Sequence, residues 1–203
     1  GSAERWHDEC GPIICSSRWD TLKLASCGKA TTRMEVRIDS PDPKTHAGEI
    51  VCRGANMMLG YYKNPEATAQ IIDVNGWLHT GDLGVMDEEG YVTVRGRSKN
   101  MLLTSSGQNI YPEEIESKLN NMPYVAESLI VLQHDKLVAL IYPDFDDAFA
   151  HGLQQNDIQK AMEVNRVELN QQLPNYCQIS KIKIHFEEFE KTAKKSIKRF
   201  MYQ

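Results

Sequence analysis

The stretch Gly96-Arg97-Ser98-Lys99-Asn100-Met101-Leu102-Leu103, residues 96–103, divides the sequence into two halves of different character. Two cations stand in it, between a β-rich half and a half in which strands alternate with helices. A chain of 203 residues is long enough for two small domains. We therefore expect one domain over residues 1–97 and a second over residues 98–203.

The first half reads as strands, turns and one short helix. Residues 34–38 alternate apolar and polar side chains, as a half-buried strand does, and the extended pattern resumes at 49–54. Asn64 followed by Pro65 suits the cap and first position of a helix. Residues 83–94 read as a hairpin, because an acidic turn that ends in glycine joins two apolar runs.

The second half predicts a small α+β domain with a mostly antiparallel sheet. Pro112 and the acids after it signal a helix start, and residues 125–142 read as two strands that turn at a His-Asp pair. A long helix is predicted over 157–173 and a strand over 181–186. A last short helix is expected to start near Ser196. The predicted fold class is thus α+β, a short sheet with flanking helices after a β-rich part.

Composition excludes several classes. The net charge of −5 gives no basic face for nucleic acid, so no nucleic-acid partner is expected. The five cysteines are odd in number and contain no Cys-x-x-Cys pair, which favours free thiols in a reducing cytoplasm over disulfides or zinc. The six histidines have no metal-ligand spacing, so no protein-held metal site is predicted. No apolar run has the length of a membrane span.

Unusual polar residues concentrate between Gly76 and Tyr111. Asp82, just after a glycine at an expected strand end, can accept hydrogen bonds from the two hydroxyls of a ribose or simply close a turn. Arg97 can add a donor fork to the same hydroxyls, or it and Lys99 can belong to a solvated linker. Gly107 lies in a loop that is a surface turn or a close approach to a ligand.

Taken together, four motifs, spread over six segments, resemble the adenylate-forming superfamily of acyl-CoA synthetases, luciferases and peptide-synthetase adenylation domains. The likeness starts near Glu9 and runs to the end of the chain. The phrases Gly-Arg-Ser-Lys-Asn and Gly-Gln-Asn-Ile-Tyr-Pro-Glu-Glu-Ile-Glu are similar to those of bacterial long-chain fatty-acid–CoA ligases. The segments are Glu9–Pro12, Gly48–Gly54, Gly60–Thr68, Gly76–Asp82, and Gly90–Lys99 with Ser106–Glu116.

The resemblance implies an ATP-dependent ligase that makes an acyl-AMP from a fatty acid and passes the acyl group to coenzyme A, with Mg²⁺. It assigns Asp82 and Arg97 to the ribose, and Glu9 to the neighbourhood of metal and phosphates. Lys99 becomes the hinge of a mobile C-terminal domain, and Gly107 lines the coenzyme A channel. Residues 1–97 become the β-rich end of the large domain. A lipid substrate is compatible with peripheral membrane association.

The sequence departs from the family in two places. The Gly/Ser/Thr-rich phosphate loop belongs upstream of Glu9, so we expect the isolated chain to be inactive. The family's C-terminal motif is Lys-Thr-x-(Ser/Thr)-Gly-Lys-Ile, whereas residues 191–197 read Lys-Thr-Ala-Lys-Lys-Ser-Ile. An ungapped match puts Ser196 in the place of the catalytic lysine. A one-residue shift would bring Lys195 there, which is the preferred interpretation, with Lys198 as the second candidate.

Two alternatives stay open at this stage. The acyl acceptor can be the pantetheine of a carrier protein instead of coenzyme A. The chain can also be a stand-alone module that binds a partner or nucleotide without catalysis, since the lysine position is altered. Chain length of the acid and oligomeric state have no signal in the sequence.

Overall fold

The computed structural model describes residues 26–55 and 57–203, together with the backbone of the short strands at 4–5 and 15–16. The chain forms two compact units, Gly1–Lys99 and Asn100–Gln203. The predicted α+β class is confirmed. The assignment of these units to the end of a large domain and a mobile domain remains a prediction. Among the described residues, no helix is both long enough and apolar enough to cross a membrane.

The first unit is built on a four-stranded antiparallel sheet in the order β4-β5-β6-β7. A smaller sheet has the order β1-β2-β3. The helix α1 begins as predicted, because the Asn64 side chain accepts a hydrogen bond from the Ala67 N–H and Pro65 follows it. The elements are β1 Glu4–Arg5, β2 Cys15–Ser16, β3 Lys29–Ala30, β4 Met34–Asp39, β5 Gly48–Gly54, α1 Pro65–Ile71, β6 Leu78–Met86 and β7 Val92–Arg97.

One apolar face of this sheet makes the core of the unit. Alternation along the strands sends every second side chain of β4 and β5 to the same side, as the sequence pattern predicts. Leu78 of β6 and Val92 of β7 complete this layer. The buried set is Met34, Ile38, Ile50, Cys52, Leu78 and Val92.

The second unit contains a two-stranded hairpin, a three-stranded sheet and three α-helices. In the larger sheet β10 pairs antiparallel with β11, and β12 pairs parallel with β11. The parallel pair follows from the connection, since the chain returns through the long helix α4 before it enters β12. The elements are β8 Leu102–Leu103, β9 Asn109–Ile110, α2 Pro112–Leu119, β10 Val125–Gln133, β11 Lys136–Pro143, α3 Phe145–Ala150, α4 Gln155–Gln172 and β12 Ile179–Ile184.

Both faces of this sheet are covered. Ile130 and Ile141 point to the side packed with residues of α2 and α4, such as Leu119 and Met162. The alternate side chains of the same strands, among them Leu129, meet residues from the C-terminal segment. Strands buried on both sides explain why 125–142 reads as two nearly continuous apolar runs. The second cluster is Leu129, Val131, Val138, Leu140 and Phe189, with Tyr142, Ile197 and Tyr202 against it.

Two features of this half differ from the sequence-based expectation. The short helix expected near Ser196 begins three residues later, as the 3₁₀ helix Arg199–Met201, because Ile197 forms a β-bridge with Lys191. Ile197 has to reach the apolar cluster on the sheet, and an extended backbone places it there. The helix α3 was not predicted, because six residues are too few to show a helical period.

Candidate functional site

Asp82 and Arg97 face each other across neighbouring strands. β6 and β7 pair with Asp82 opposite Arg97, and Arg97 Nε lies 3.1 Å from Asp82 Oδ1. The Asp82 side chain is 3% exposed, whereas that of Arg97 is 49% exposed. A buried carboxylate beside a half-exposed guanidinium offers an acceptor and a donor fork in one place. Asp82 was expected at a strand end, but it lies inside β6.

Residues 80–82 form a bulge in β6, which we call the Asp82 bulge. Between the two residue pairs that flank it, β6 has three residues where β5 has one, Ile50. Gly81 in the middle has φ +70°, a conformation that side chains other than glycine adopt at a cost. A bulge of this size removes its residues from the ladder with β5, so the backbone groups that face β5 need other partners.

Side chains supply those partners. The Gly81 N–H donates to Glu49 Oε1 at 3.0 Å. The Asp82 N–H donates to Thr80 Oγ1 at 3.1 Å, and the same hydroxyl donates to a β5 carbonyl at 2.7 Å. Arg97 Nη1 donates to the Thr80 carbonyl at 3.2 Å. The Asp82 bulge is thus held from β5 and from β7, which fixes where the Asp82 carboxylate stands.

The second carboxylate oxygen of Glu49 holds His79. His79 Nδ1 lies 2.7 Å from Glu49 Oε2, and because a carboxylate can only accept, the nitrogen donates. His79 Nε2 faces Asp73 Oδ2 at 3.5 Å. The hydrogen bond to Glu49 raises the pKa of His79, with Asp73 adding to the effect. Sequence reasoning missed Glu49 and His79, because their contact depends on the register across the bulge.

Lys99 and Gly107 lie where the sequence suggests, in turns. Lys99 is exposed, in the 3₁₀ turn that follows β7. Gly107 has φ +80° and its N–H donates to the Thr104 carbonyl at 3.0 Å, at the tip of the β8–β9 hairpin. Ser105 in this tip bonds through its N–H and hydroxyl to Asp135 in the β10–β11 turn. The hydrogen bond from the Ser105 hydroxyl lowers the pKa of Asp135.

The lysine-rich segment forms a small hairpin. The Thr192 N–H donates to the Ser196 carbonyl at 2.8 Å, and the Lys195 N–H donates to the Thr192 carbonyl at 2.9 Å. Lys195 has φ +60°. This is the three-residue loop in which the last residue takes the left-handed conformation, usually as glycine. Lys195 therefore stands where the motif has its glycine, and the hairpin closes without a one-residue shift.

Alternation along the returning strand of this hairpin separates its side chains. Ile197 packs against the apolar cluster of the sheet. Its neighbours Ser196 and Lys198 therefore point to the opposite side of the strand. Lys198 Nζ lies 3.6 Å from Glu190 Oε2, and its side chain is 35% exposed. The ungapped register thus leaves Ser196 in the lysine position, with Lys198 on the same side two residues later.

A metal site is not formed by the described part of the chain. Residues 26–55 and 57–203 contain no group of three His, Cys, Asp or Glu that could hold a metal ion. Glu9, which the family resemblance assigns to the neighbourhood of metal and phosphates, lies outside the described residues.

Comparison with known proteins extends across both units. Residues 99–202, just over half of the chain, match the family described as AMP-binding enzyme C-terminal domain. The chain is 48% identical over 119 residues to the 3-[(3aS,4S,7aS)-7a-methyl-1,5-dioxo-octahydro-1H-inden-4-yl]propanoyl:CoA ligase of Rhodococcus jostii RHA1, covering 58% of this chain and 22% of that protein. It is 40% identical over 124 residues to a long-chain-fatty-acid–CoA ligase of Escherichia coli O6:H1, covering 59% and 22%.

A solved structure covers almost the whole chain. The anthranilate CoA ligase AuaEII in complex with anthranoyl-AMP superposes with a TM-score of 0.78 at 26% identity, over 98% of this chain and 38% of that one. The chain therefore spans well under half the length of the proteins it matches. Family match, relatives and fold agree, and the chain belongs to the AMP-binding enzyme C-terminal domain family of the adenylate-forming superfamily.

Proposed function

We propose that this chain is the C-terminal part of an AMP-forming ligase that activates a fatty acid and transfers it to coenzyme A. The observation that carries the proposal is the Asp82 bulge: a buried carboxylate, clamped by two neighbouring strands, with the Arg97 guanidinium 3.1 Å away. Vicinal hydroxyls of a ribose are donors that such a carboxylate accepts in pairs. The bound anthranoyl-AMP of the structural relative supports the nucleotide assignment.

The proposed reaction has two steps. A carboxylate oxygen of the acid attacks the α-phosphorus of ATP, the acyl–phosphate bond forms, and the bond to pyrophosphate breaks. The sulfur of coenzyme A then attacks the acyl carbon, the bond to AMP breaks, and the thiol proton leaves to solvent. Because negative charge grows on phosphate oxygens in the first step, a nearby cation lowers its barrier.

The cation of the first step is proposed to be Lys198, with Lys195 as the alternative. Support for Lys198 comes from the hairpin register, which puts it on the side of Ser196. Lys195 takes the glycine place of the turn, and its backbone carries the strain of φ +60°. Glu190, 3.6 Å from Lys198 Nζ, can hold that ammonium until a substrate phosphate replaces it.

We propose that three further residues have the roles that the family resemblance implies. Lys99 is the hinge, since its exposed 3₁₀ turn follows β7 at the end of the first unit. Gly107 lines the path of the pantetheine thiol, which its exposed hairpin tip makes sterically open. Glu9 serves the metal and phosphates. The isolated chain is proposed to be inactive, because the phosphate loop is not in it.

The fatty-acid substrate rests on the resemblance to long-chain ligases and on the Escherichia coli relative. The Rhodococcus jostii relative acts on a bicyclic propanoate, so the acid needs a direct test. The test uses the full-length protein that carries this segment, with acids of graded chain length. Fatty-acid-dependent exchange of pyrophosphate into ATP, followed by acyl-CoA formation, is the expected result.

Three variants complete this test. Lys198→Ala is expected to lower exchange by roughly 10²- to 10³-fold, the usual effect of losing one electrostatic contact to a transition state. Lys195→Ala tests the alternative, and Lys183→Ala, on the surface of β12, is the matched control. Loss of exchange in Lys195→Ala alone would transfer the role to Lys195. Activity toward carrier-protein pantetheine but not coenzyme A would favour the carrier alternative, and no exchange with any acid would leave a binding module.

A further inference from the structure

The Asp82 bulge is held by a side chain to which the reaction assigns no role. Glu49 at the start of β5 uses one oxygen for the Gly81 N–H, at 3.0 Å, and the other for His79 Nδ1, at 2.7 Å. Gly81 has no paired residue on β5, because the register is interrupted between Glu49 and Val51. The left-handed turn that precedes the Asp82 carboxylate therefore depends on the placement of one carboxylate.

His79 fixes the rotamer of that carboxylate. A glutamate has three side-chain torsions, and a single hydrogen bond to a backbone N–H leaves several of them free. The second bond, to an imidazole itself facing Asp73 at 3.5 Å, removes that freedom. The side chains of Glu49, His79 and Asp73 are 27%, 33% and 29% exposed, so water competes with these contacts only in part.

From this geometry we propose that Glu49 is a positioning residue for ribose recognition, and that His79 holds Glu49 in place. The proposal rests on the proposed function, because it assumes that Asp82 accepts the ribose hydroxyls. It adds that the strength of this recognition is set by a contact outside the ribose site. Without the Glu49 carboxylate the charge-assisted hydrogen bonds to the Gly81 N–H and to His79 are lost, the bulge relaxes, and Asp82 no longer meets both hydroxyls.

The test compares two ligands on the full-length protein. AMP and 2′,3′-dideoxy-AMP have the same base and phosphate, and they differ only in the hydroxyls that Asp82 would accept. The ratio of their dissociation constants therefore measures hydroxyl recognition and cancels any effect on base, phosphate or the fraction of folded protein. The proteins are wild type, Glu49→Gln, His79→Gln and the control Glu35→Gln, whose residue forms an exposed pair with Arg53.

Wild type is expected to prefer AMP, and Glu49→Gln to reduce that preference about tenfold, as the loss of a charge-assisted hydrogen bond implies. His79→Gln should reduce it less, and Glu35→Gln should not change it. An unchanged preference in both Glu49→Gln and His79→Gln overturns the proposal. A wild type with no preference for AMP refutes the ribose role of Asp82 itself, so the two failures are distinguishable.

A pH series gives a readout that a purely structural role would not produce. The charged groups that face His79 from the neighbouring elements described here are Glu49 of β5 and Asp73 after α1. Because the pKa of His79 is raised in the folded protein, its cation contributes below the ordinary value near 6.5, and the contribution disappears as the pH rises through the raised value. The AMP preference of wild type should therefore fall as the pH rises above the ordinary value near 6.5 and through the raised pKa of His79, whereas His79→Gln should show no such fall. A flat wild-type profile would contradict the role of His79.

Discussion

Replacing Arg199 by methionine should lower the free energy of unfolding of the second unit, because it leaves the buried Glu116 carboxylate without its cation. The two terminal guanidinium nitrogens of Arg199, Nη1 and Nη2, donate to the two oxygens of the Glu116 carboxylate, with Nη1 2.8 Å from Oε2. The side chains are 16% and 8% exposed, so the pair is largely out of water. The only other donor that the structure gives the Glu116 carboxylate among the described residues is the Ile130 N–H, at 2.9 Å. Arg199→Met therefore leaves a buried carboxylate with one hydrogen bond.

The magnitude follows from this burial. Breaking a buried ion pair by removing one partner typically costs about 3–5 kcal/mol, because the other charge stays uncompensated. Burial already raises the pKa of Glu116 in spite of Arg199, and loss of the cation raises it further. A carboxyl with a raised folded pKa contributes stability below its unfolded pKa near 4.5 and loses it as the pH rises. The destabilisation should hence be larger at pH 7 than at pH 4.5.

Amide exchange of residues 125–143 is the assay, because these strands belong to the second unit alone. Arg199→Met should lower the free energy of their opening at pH 7, and Glu116→Gln with Arg199→Met should recover most of the loss. The double variant removes the charge while an amide oxygen remains for the Ile130 N–H. An equal loss in single and double variants, or a loss independent of pH, would refute the charge argument and assign the cost to the packing of the Arg199 stem.

Three further predictions concern the turns. Gly81→Ala should lower the free energy of unfolding of the first unit by about 1–2 kcal/mol, because φ is +70° there, and it should weaken AMP binding. The control Gly76→Ala, at φ +77°, should lower the free energy of thermal unfolding by the same amount but leave AMP binding unchanged. Lys195→Gly should raise the thermal midpoint by relieving up to about 1 kcal/mol of strain, whereas Lys194→Gly should lower it. Because the Ser105 hydroxyl lowers the pKa of Asp135, that contact holds above about pH 4 and is lost as the pH falls through the lowered value. The protection factor of the Ser105 amide, which is its exchange rate relative to that of an unstructured peptide at the same pH, should fall at low pH, and Asp135→Asn should remove this dependence in an NMR exchange experiment.

Much of the fold was predictable because it follows from local rules. The cap at Asn64 and Pro65, the start of α2 at Pro112 and the hairpin turn at His134-Asp135 all depend on a few adjacent residues. The start of the last short helix was predicted three residues too early for the opposite reason. Whether the chain near Ser196 is helical or extended depends on Ile197 reaching a cluster that includes residues of β10 and β11.

The candidate site divides in the same way. Asp82 and Arg97 could be proposed from their residue types and motif positions, and their meeting follows from the β6–β7 hairpin. Glu49 could not be predicted in this way, because its partner Gly81 lies 32 residues later in the sequence. The two residues meet only because of the bulge in β6. The glycine-like conformation of Lys195 was also invisible, since a lysine there gives no signal of positive φ.

The C-terminal segment is fastened to the sheet on both sides of the lysine hairpin. Phe189 before it and Tyr202 after it stack edge-to-face at 5.0 Å, and the Tyr202 hydroxyl accepts the Glu190 N–H at 2.8 Å. These contacts hold the two ends of the lysine hairpin together and against the sheet. Substitution of Phe189 or Tyr202 would therefore change the position of the hairpin that carries Lys195 and Lys198.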